Sequence, residues 1–403
     1  MALLPVSEAI ARVLADVAPT PAETVAVDAA FGRVLAADLA ATRTQPPFAN
    51  SAMDGYAVRA ADVASVPARL TVVGESAAGR RFDGAVATGS AVRIFTGAPM
   101  PEGADTIVIQ EDVDRDGDVI TVREGAPAGT YVRKEGLDFA RGEVLLAAGR
   151  TLSAADAALA AAMNHATVSV RRRPLVALLA NGDELVPPGT EPGPDQIIAS
   201  NTIGVAAISR AAGADILDLG IAPDRPDAIE AAIERAIAAG ADVLVTLGGA
   251  SVGDHDLVKP ALEKSGVTLD FWKIAMRPGK PMMFGSRGAM RVLGLPGNPV
   301  SSLVCSLIYL KPLIGALLGR PDAGDPTIEA VLGKDLKAND QRQDHLRATL
   351  ERAPDGRLVA TPFAAQDSSI LSLMSKAGCL VVRPAFAPAA TAGDPCRIIP
   401  LDR

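Results

Sequence analysis

Residues 243–302 constrain the fold of this chain most strongly, because three apolar runs there each end in a segment rich in glycine, proline or charge. The runs at 243–247, 267–273 and 292–295 lead into GGASVGDHD at 248–256, RPGKP at 277–281 and PGNP at 296–299. A short apolar run that stops at a glycine loop is typical of a buried strand. In parallel α/β sheets, ligands bind outside the carboxyl ends of the strands, so we predict a ligand site where these segments meet.

The glycine loop at 248–256 suits a phosphorylated ligand. Its glycines let backbone N–H groups approach an oxyanion closely, and a helix predicted over 257–264 adds its positive end. The loop residues that we expect to bind phosphate are Gly248, Gly249, Ser251 and Gly253. The chain contains no GxxxxGK[ST], GxGxxG, HExxH or GxSxG sequence, which argues against a P-loop, a Rossmann dinucleotide site, a zincin and a serine hydrolase.

Three cations, Lys273, Arg277 and Lys280, follow the second run. Prolines and a glycine stiffen the segment that carries them, and a disposable surface loop rarely needs such constraint. A rigid loop holds charge against an anionic ligand at a low entropic cost. We therefore predict an anion clamp here.

Acids at predicted strand ends supply the opposite charge. Glu184, Asp254 and Asp256 each follow a predicted strand, and at one edge of a sheet their carboxylates would converge on Mg²⁺, which prefers oxygen ligands. All three carboxylates are candidate metal ligands on this argument.

Further acids lie beside turns, namely Asp54, Asp138 and Asp224. Each acid also has a structural alternative. Asp224 would cap a helix that begins at Pro226, either Asp254 or Asp256 would cap the helix after the glycine loop, and Asp54 would brace the turn at Gly55. The residues alone leave both interpretations open.

Composition limits the class of protein. The formal net charge of −8 argues against nucleic acid as a partner, and the hydrophobic fraction of 49% with 21% charged residues is ordinary for a soluble globular protein. The three cysteines form no CxxC pair, so neither a zinc site nor a disulfide framework is expected. The sequence shows neither the basic region of a signal peptide nor an uncharged stretch of membrane-span length, which predicts a cytoplasmic protein without membrane contact.

The length of the chain predicts several domains, because 403 residues exceed what one hydrophobic core usually supports. Short apolar runs separated by turn residues indicate β structure, strands alternating with helical patterns indicate a parallel α/β sheet, and an Ala-rich helix capped by Ser153 is predicted between them. The predicted domains are an elongated N-terminal linking domain (1–46 and 137–173), an inserted β module (47–136), a parallel α/β domain (174–320) and a C-terminal β-barrel or sandwich (321–403).

Five motifs carry a family resemblance: SAMDGYAV at 51–58, FTGAPMPEGAD at 95–105, GGASVGDHD, RPGKP and GLPGNPVSS. Through them the chain resembles the molybdopterin molybdenumtransferase family, known as MoeA and in animals as the E domain of gephyrin. The resemblance runs from about residue 5 to the C-terminus in family order. It implies a molybdopterin-binding α/β domain and an Mg²⁺-dependent transferase of molybdenum cofactor biosynthesis. That enzyme takes adenylylated molybdopterin and molybdate as substrates, inserts the metal at the dithiolene and releases AMP.

The resemblance also implies an elongated homodimer whose active site lies between the α/β domain of one chain and the β module of the other. The family's functional positions correspond here to Asp54, Thr96, Asp138, Glu184, Asp224, Asp256, Lys273, Arg277, Pro296 and Pro299. Arg277 stands where some members have Lys, which changes the contact geometry, and Ala49 replaces an acid that often precedes the Asn-Ser of that motif.

On this basis we expect Mg²⁺ near Glu184 and Asp256 to bridge the pyrophosphate of the substrate. The turn formed by Pro296, Gly297, Asn298 and Pro299 would hold phosphate and pterin, and Lys273, Arg277 and Lys280 would attract molybdate. Asp54 with Asp138 would orient molybdate or water.

Two other functions stay open. The α/β domain also resembles an adenylyltransferase that activates molybdopterin with ATP, although the β module and the C-terminal β domain argue against it. The second open function is that of a dimeric scaffold protein that keeps the fold but has no catalytic activity. Expected partners are a second copy of the chain, a molybdopterin adenylyltransferase and proteins that mature molybdoenzymes.

Overall fold

The chain folds into two compact units. The computed structural model describes residues 3–248, 257–321 and 325–401. The β-rich unit consists of Thr24–Phe31 and Ala37–Ser169, and the second unit consists of Met1–Glu23, Gly32–Ala36 and Val170–Arg403. The four domain ranges given above stay a prediction.

The β-rich unit contains a six-stranded sheet. In spatial order its strands are Thr106–Ile109, Gly55–Val58, Ser90–Ile94, Ala68–Ser76, Val119–Val122 and Val113–Asp116. The last two strands form a hairpin after Asp116, and Gly117 in its turn takes a φ of +60°, which a two-residue turn of this kind requires. Leu70, Ile120 and Val122 point into a small apolar core on one face of the sheet.

The rest of this unit is built from short pieces. Leu39–Ala40 pairs with Val144–Leu146, and Asn50–Ser51 pairs with Val132–Arg133. The helix Ala154–Ala162 begins at a complete capping box, in which the side chains of Ser153 and Asp156 each accept a hydrogen bond from the other residue's backbone. The predicted cap at Ser153 is therefore confirmed.

The second unit contains a six-stranded sheet at the centre of its α/β part. In spatial order the strands are Asp215–Ala222, Leu175–Asn181, Val243–Leu247, Met290–Leu295, Met283–Arg287 and Thr268–Trp272. The first four are parallel, but Met283–Arg287 runs antiparallel to its two neighbours, so the sheet is not wholly parallel as the pattern predicted. The reason is a tight hairpin with Gly288 at φ +58°, which joins this strand directly to the next without a helix.

Both faces of this sheet are buried. Alternate residues of a strand point to opposite faces, and here Leu178 packs with one apolar cluster while Leu179 packs with the other. The helices Val6–Leu14 and Asn201–Ala211 contribute to the first cluster, and Pro226–Ala238 and Val258–Lys264 contribute to the second. Layers of helix on both faces explain why these strands read as continuous apolar runs.

A long helical segment, Pro299–Leu317, completes the first cluster. It consists of the helix Pro299–Cys305, a π-helical turn Ser306–Leu310 and the helix Lys311–Leu317. Within the part of the chain that the structure describes, it is the one helix whose length and mean hydropathy of 1.7 would allow it to cross a membrane, but 78% of it is buried inside the protein. It packs as a core helix.

The C-terminal part of this unit is a closed five-stranded barrel. Its strands are Ile328–Leu332, Gln343–Arg352, Leu358–Pro362, Cys379–Arg383 and Pro395–Pro400, and Met276–Arg277 adds to the edge of the second of them. The helix Leu371–Lys376 lies between two barrel strands in sequence. Ala348, Ala360, Val381 and Ile398 are fully buried inside the barrel.

Candidate active site

The carboxyl ends of two central strands form a topological switch point. From Leu175–Asn181 the chain continues to a strand on one side and then crosses to Val243–Leu247 on the other. Open α/β sheets bind ligands at such a point. Gly248 lies here as predicted: its φ is +100°, and a Cβ on it would come within 3.1 Å of the Asn181 carbonyl oxygen. The other predicted residues of this loop, Gly249, Ser251, Gly253, Asp254 and Asp256, lie outside the described residues.

Glu184 folds back over the end of the first strand. Gly182, with a φ of +144°, permits this, because a Cβ there would meet the Glu184 Oε2 atom at 2.4 Å. A side chain at position 182 would therefore displace the carboxylate from the strand end. The switch point carries an exposed acid, as predicted from the sequence.

Asp224 is tied to the same strand end. Its backbone N–H donates to Asp183 Oδ1 at 3.1 Å, and its own Oδ1 accepts from Asn181 Nδ2 at 3.5 Å. The helix Pro226–Ala238 has no side-chain cap hydrogen bond at its start, so the capping alternative for Asp224 is wrong. The structure therefore brings Asp224 to the first strand's end.

The donor atoms at this edge are compatible with a hard cation. Asn181 is buried, and its Oδ1 atom has no hydrogen-bond partner among the described residues. Carboxylate and amide oxygens are ligands that Mg²⁺ prefers, although it keeps several waters and substrate phosphates. No group of three or more His, Cys, Asp or Glu side chains is gathered as a ligand set within residues 3–248, 257–321 and 325–401. Asn181, Glu184 and Asp224 therefore offer oxygen atoms of the kind that Mg²⁺ binds, without a complete ligand set among the described residues.

The predicted PGNP turn lies next to Gly248 at the same edge. A Cβ on Gly297 would lie 3.9 Å from the Gly248 Cα, so the two backbones pass close together. Asn201 Nδ2 donates to the Gly297 carbonyl at 2.7 Å, which ties the turn to the start of the helix Asn201–Ala211. Pro299 occupies the first turn of the long core helix, where a proline costs no hydrogen bond. The turn is thus held in place beside Gly248.

Asn298 reaches the C-terminal part of the unit, which the sequence did not predict. Its Nδ2 donates to Ser368 Oγ at 2.9 Å, and the Val300 N–H donates to the Ser368 carbonyl at 3.1 Å. We call residues 366–370 the Ser368 loop. This loop therefore borders the PGNP turn.

A fully buried arginine holds the Ser368 loop. The Arg347 guanidinium donates to Gln366 Oε1 and to the carbonyls of Asp367 and Ile370, at 3.3, 2.9 and 3.3 Å. Its Nη2 atom is buried and has no hydrogen-bond partner in the described part of the chain. Burial lowers the pKa of Arg347, while the Asp367 carboxylate raises it. No motif pointed to Arg347 or Ser368, since an arginine in a strand and a serine pair in a loop are common features.

Of the three predicted cations, Lys273 and Lys280 are presented by a constrained segment. Lys273 takes a φ of +88° directly after the strand Thr268–Trp272, and its Nζ lies 5.4 Å from the centre of the Trp272 ring. The Lys280 side chain is exposed. Because Thr268–Trp272 runs parallel to Met290–Leu295, its carboxyl end lies at the same edge of the sheet.

Arg277 is engaged by the C-terminal barrel. Its guanidinium donates to both oxygens of Asp344, at 2.8 and 2.6 Å, and to Asp340 at 3.3 Å. The hydrogen bonds with Asp344 raise the pKa of Arg277. This pairing explains how the chain accommodates arginine at this position: a guanidinium binds a carboxylate through two parallel bonds, which an ammonium cannot do.

In the β-rich unit the structure joins two predicted residues. Asp54 Oδ1 accepts from the Thr96 backbone N–H and from the Thr96 hydroxyl, both at 2.8 Å. These two bonds, together with the nearby Arg93, lower the pKa of Asp54. Asp54 thus pairs with Thr96 instead of bracing only its own turn at Gly55.

Asp138 lies in the same unit but is not joined to this pair. Its backbone N–H donates to the Gln45 carbonyl at 3.0 Å, and its side chain is exposed. Among the described residues its carboxylate has no hydrogen-bond partner. The structure therefore gives no contact between Asp138 and Asp54.

Comparison with known proteins decides the family. Residues 4–164 match the MoeA N-terminal region (domains I and II), residues 177–316 match a probable molybdopterin binding domain, and residues 329–401 match the MoeA C-terminal region (domain IV). A protein named molybdopterin molybdenumtransferase from Haemophilus influenzae is 36% identical over 389 residues, which is 95% of this chain and 95% of that protein. The chain belongs to the molybdopterin molybdenumtransferase (MoeA) family.

Other members of the MoeA family agree in sequence and fold. The molybdopterin molybdenumtransferase of Bacillus subtilis is 34% identical and covers 94% of this chain and 90% of its own length. The crystal structure of the molybdopterin biosynthesis MoeA protein from Pyrococcus horikoshii matches with a TM-score of 0.85 and 30% identity, over 100% of both chains. The predicted family and the multidomain α/β and β-barrel fold are confirmed.

Proposed function

We propose that the protein is a molybdopterin molybdenumtransferase of molybdenum cofactor biosynthesis. It takes adenylylated molybdopterin and molybdate, places the metal on the dithiolene and releases AMP. The observation that carries the proposal is the edge of the central sheet, where Glu184 and Asp224 stand beside Gly248 and the PGNP turn in a chain related over nearly its whole length to enzymes of this name.

The phosphate groups and the pterin of the substrate bind at this edge. The absence of side chains at Gly248 and Gly297 lets a phosphate approach the backbone, and the rigid turn orients the pterin. Asn298 and Ser368, joined by a hydrogen bond, offer polar groups beside them. Gly249, Ser251 and Gly253 extend the phosphate-binding loop in this proposal.

Magnesium accompanies the substrate. Glu184 and Asp256 would hold the ion, with Asp224 and Asn181 at the same strand end, and a bound Mg²⁺ would offset charge on the phosphoanhydride. Lys273 and Lys280 attract molybdate, which is a dianion, and their stiff segment keeps the ammonium groups in place. Arg277 contributes indirectly. Its guanidinium binds Asp344, and this contact fixes the position of the segment that carries the two lysines.

The Asp54–Thr96 pair completes the active site from a second copy of the chain. This homodimer is a proposal that rests on the family resemblance and on the separate β-rich unit that carries the pair. A lowered pKa keeps Asp54 ionised near neutral pH, so it orients a water molecule by accepting its hydrogen bond, and that water in turn donates to molybdate. Asp138 assists it from the same unit. We further propose that the enzyme works in the cytoplasm, without nucleic acid or membrane, and exchanges substrate and product with an adenylyltransferase and with maturation proteins.

Nucleotide analysis after two incubations tests the proposed function. With preformed adenylylated molybdopterin and Mg²⁺, we expect AMP release that depends on added molybdate. With molybdopterin and Mg-ATP instead, we expect no adenylylated product. Formation of that product would show an adenylyltransferase, and absence of turnover in both incubations would show a silent scaffold.

A further inference from the structure

A cavity of about 750 Å³ lies on the C-terminal barrel. Strands around the whole barrel line it, together with the turn at Gly356. It shares no lining residue with the glycine loop, the segment that carries Lys273 and Lys280, the PGNP turn or the Ser368 loop. The proposed transferase reaction therefore leaves this cavity without a role.

Arginines dominate the charge of this cavity. Its lining includes Arg352, Arg357, Arg383 and Arg397 but a single acid, Glu329. The whole chain carries a formal net charge of −8, so a local excess of positive charge is not a consequence of composition. A cleft lined by one sign of charge concentrates ions of the opposite sign.

Two of the four guanidinium groups are already neutralised. Arg357 pairs with Asp355 at 2.7 Å, and Arg397 pairs with Asp325 at 3.0 Å. These two arginines therefore add little to the attraction of the cavity for an anion.

The other two lack a carboxylate partner within the described part of the chain. Arg352 Nη1 donates to the Gly356 carbonyl at 2.8 Å, and Arg383 Nη2 donates to the carbonyls of Pro388 and Lys337. These bonds fix the direction of each side chain but leave its positive charge uncompensated. Both remain available to an anion.

The remaining wall is largely apolar. It includes Ala330, Leu358 and the half-buried Cys396, which all pack with the barrel core. Burial raises the pKa of the Cys396 thiol, while the charge of Arg383 lowers it. A pocket with apolar walls and a few convergent charges is suited to a small organic ion.

We infer that this cavity binds a small organic phosphate monoester, with the phosphate between Arg352 and Arg383 and the organic body against Leu358, beside Cys396. The forked N–H groups of two arginines match the oxygens of a phosphate, and the apolar wall favours an organic ester over inorganic phosphate. The inference is independent of the proposed transferase function.

Isothermal titration of the full chain with phenyl phosphate tests the inference, with phenol and inorganic phosphate as comparison probes. We expect saturable binding of phenyl phosphate, weaker binding of inorganic phosphate and none of phenol. In Arg352→Gln the affinity should fall about tenfold, and in Arg352→Gln/Arg383→Gln binding should disappear. Lys273→Ala/Lys280→Ala, which weakens the proposed active site, should bind the probe like the wild type, and so should Arg123→Gln in the β-rich unit, where the arginine is exposed and pairs with Asp114.

Protection of a thiol gives a second readout in the same protein. Cys305 and Cys379 are buried, so Cys396 is the thiol expected to react with iodoacetamide. Phenyl phosphate should slow that reaction in the wild type and not in the double variant. Equal affinity in the wild type and in Arg352→Gln, or no binding at about 10 mM probe, would overturn the inference. So would loss of binding in Lys273→Ala/Lys280→Ala, which would assign the probe to the active site.

Discussion

Asp54 Oδ1 accepts two hydrogen bonds from Thr96, one from the backbone N–H and one from the hydroxyl, both at 2.8 Å. They hold this carboxylate at the start of the strand Gly55–Val58 and lower its pKa below the ordinary value. The carboxylate therefore stays ionised at and below neutral pH, where it can accept further hydrogen bonds but cannot donate a proton.

The first prediction removes that charge and keeps the shape. Asp54→Asn should slow molybdate-dependent AMP release about 100-fold while the melting temperature changes little, because the residue is at the protein surface. Asp62→Asn is the matched control, since Asp62 Oδ2 also accepts a backbone N–H, from Gly89 at 3.0 Å, but is not at the proposed site. Wild-type rates in Asp54→Asn would contradict the role of the charge.

The second prediction concerns the arginine under the Ser368 loop. Arg347→Lys loses guanidinium bonds to the loop inside a fully buried site, so it should lower the free energy of unfolding by about 2–4 kcal/mol. Hydrogen exchange at residues 363–370 should accelerate, and KM for adenylylated molybdopterin should rise more than kcat falls. Arg342→Lys, a half-buried arginine beside the same strand, should change none of these quantities. If hydrogen exchange in the Ser368 loop were unchanged in Arg347→Lys, Arg347 would not be the residue that holds the loop.

The third prediction separates two effects at Gly279. This residue has a φ of +111°, and a Cβ on it would lie 2.5 Å from the Cys305 Sγ atom. Gly356 has a φ of +87°, and a Cβ on it would have no atom within 4 Å. Gly356→Ala should therefore cost about 1 kcal/mol for the backbone alone, and Gly279→Ala about 2–4 kcal/mol for backbone and overlap together.

Denaturant titration measures both glycine variants. Cys305→Ala combined with Gly279→Ala should recover the part of the loss that overlap causes. Equal losses in the two single variants would show that the Cys305 contact is unimportant.

The fourth prediction is a pH dependence of stability. Burial lowers the pKa of His345 to about 4, while an unfolded histidine titrates near 6.5. Between these two values the unfolded chain binds a proton that the folded chain does not, so stability should fall as the pH falls from about 6.5 to about 4. The loss attributable to this group is at most about 3 kcal/mol.

Chemical denaturation at pH 7 and pH 4.5 checks the fourth prediction in His345→Gln and in His165→Gln. His345 has an unpartnered Nδ1 atom among the described residues, whereas His165 binds the Ala40 carbonyl at 2.8 Å and is not fully buried. Only the His345 variant should lose part of the pH dependence. An unchanged pH dependence in that variant would contradict the assignment.

Local signals account for most of the fold predicted from the sequence. The strands Leu175–Asn181 and Val243–Leu247 are buried on both faces and read as apolar runs, and Pro226 marks the start of its helix. The hairpin at Met283–Arg287 was missed because its short strands lie close together around one glycine and look like a single loop. The π-helical turn Ser306–Leu310 has no sequence signature either.

The sequence predicts only those parts of the candidate site that are formed by residues close together in the chain. Gly248 and the PGNP turn are local motifs at strand ends, and the structure brings them together at one edge. Arg347 and Ser368 act through packing between distant segments, which no local pattern reports. Arg277 was predicted to clamp a ligand, but its partner Asp344 lies in a barrel strand that sequence alone could not place beside it.

Subunit complementation tests the central claim most directly, because it asks whether Asp54 and Glu184 of different chains act together. Asp54→Asn and Glu184→Gln homodimers should each be nearly inactive, and a purified heterodimer of the two has one site with both changes and one with neither. We therefore predict that the heterodimer recovers about half of the wild-type rate of molybdate-dependent AMP release. A heterodimer as inactive as its parents would contradict a site shared between subunits.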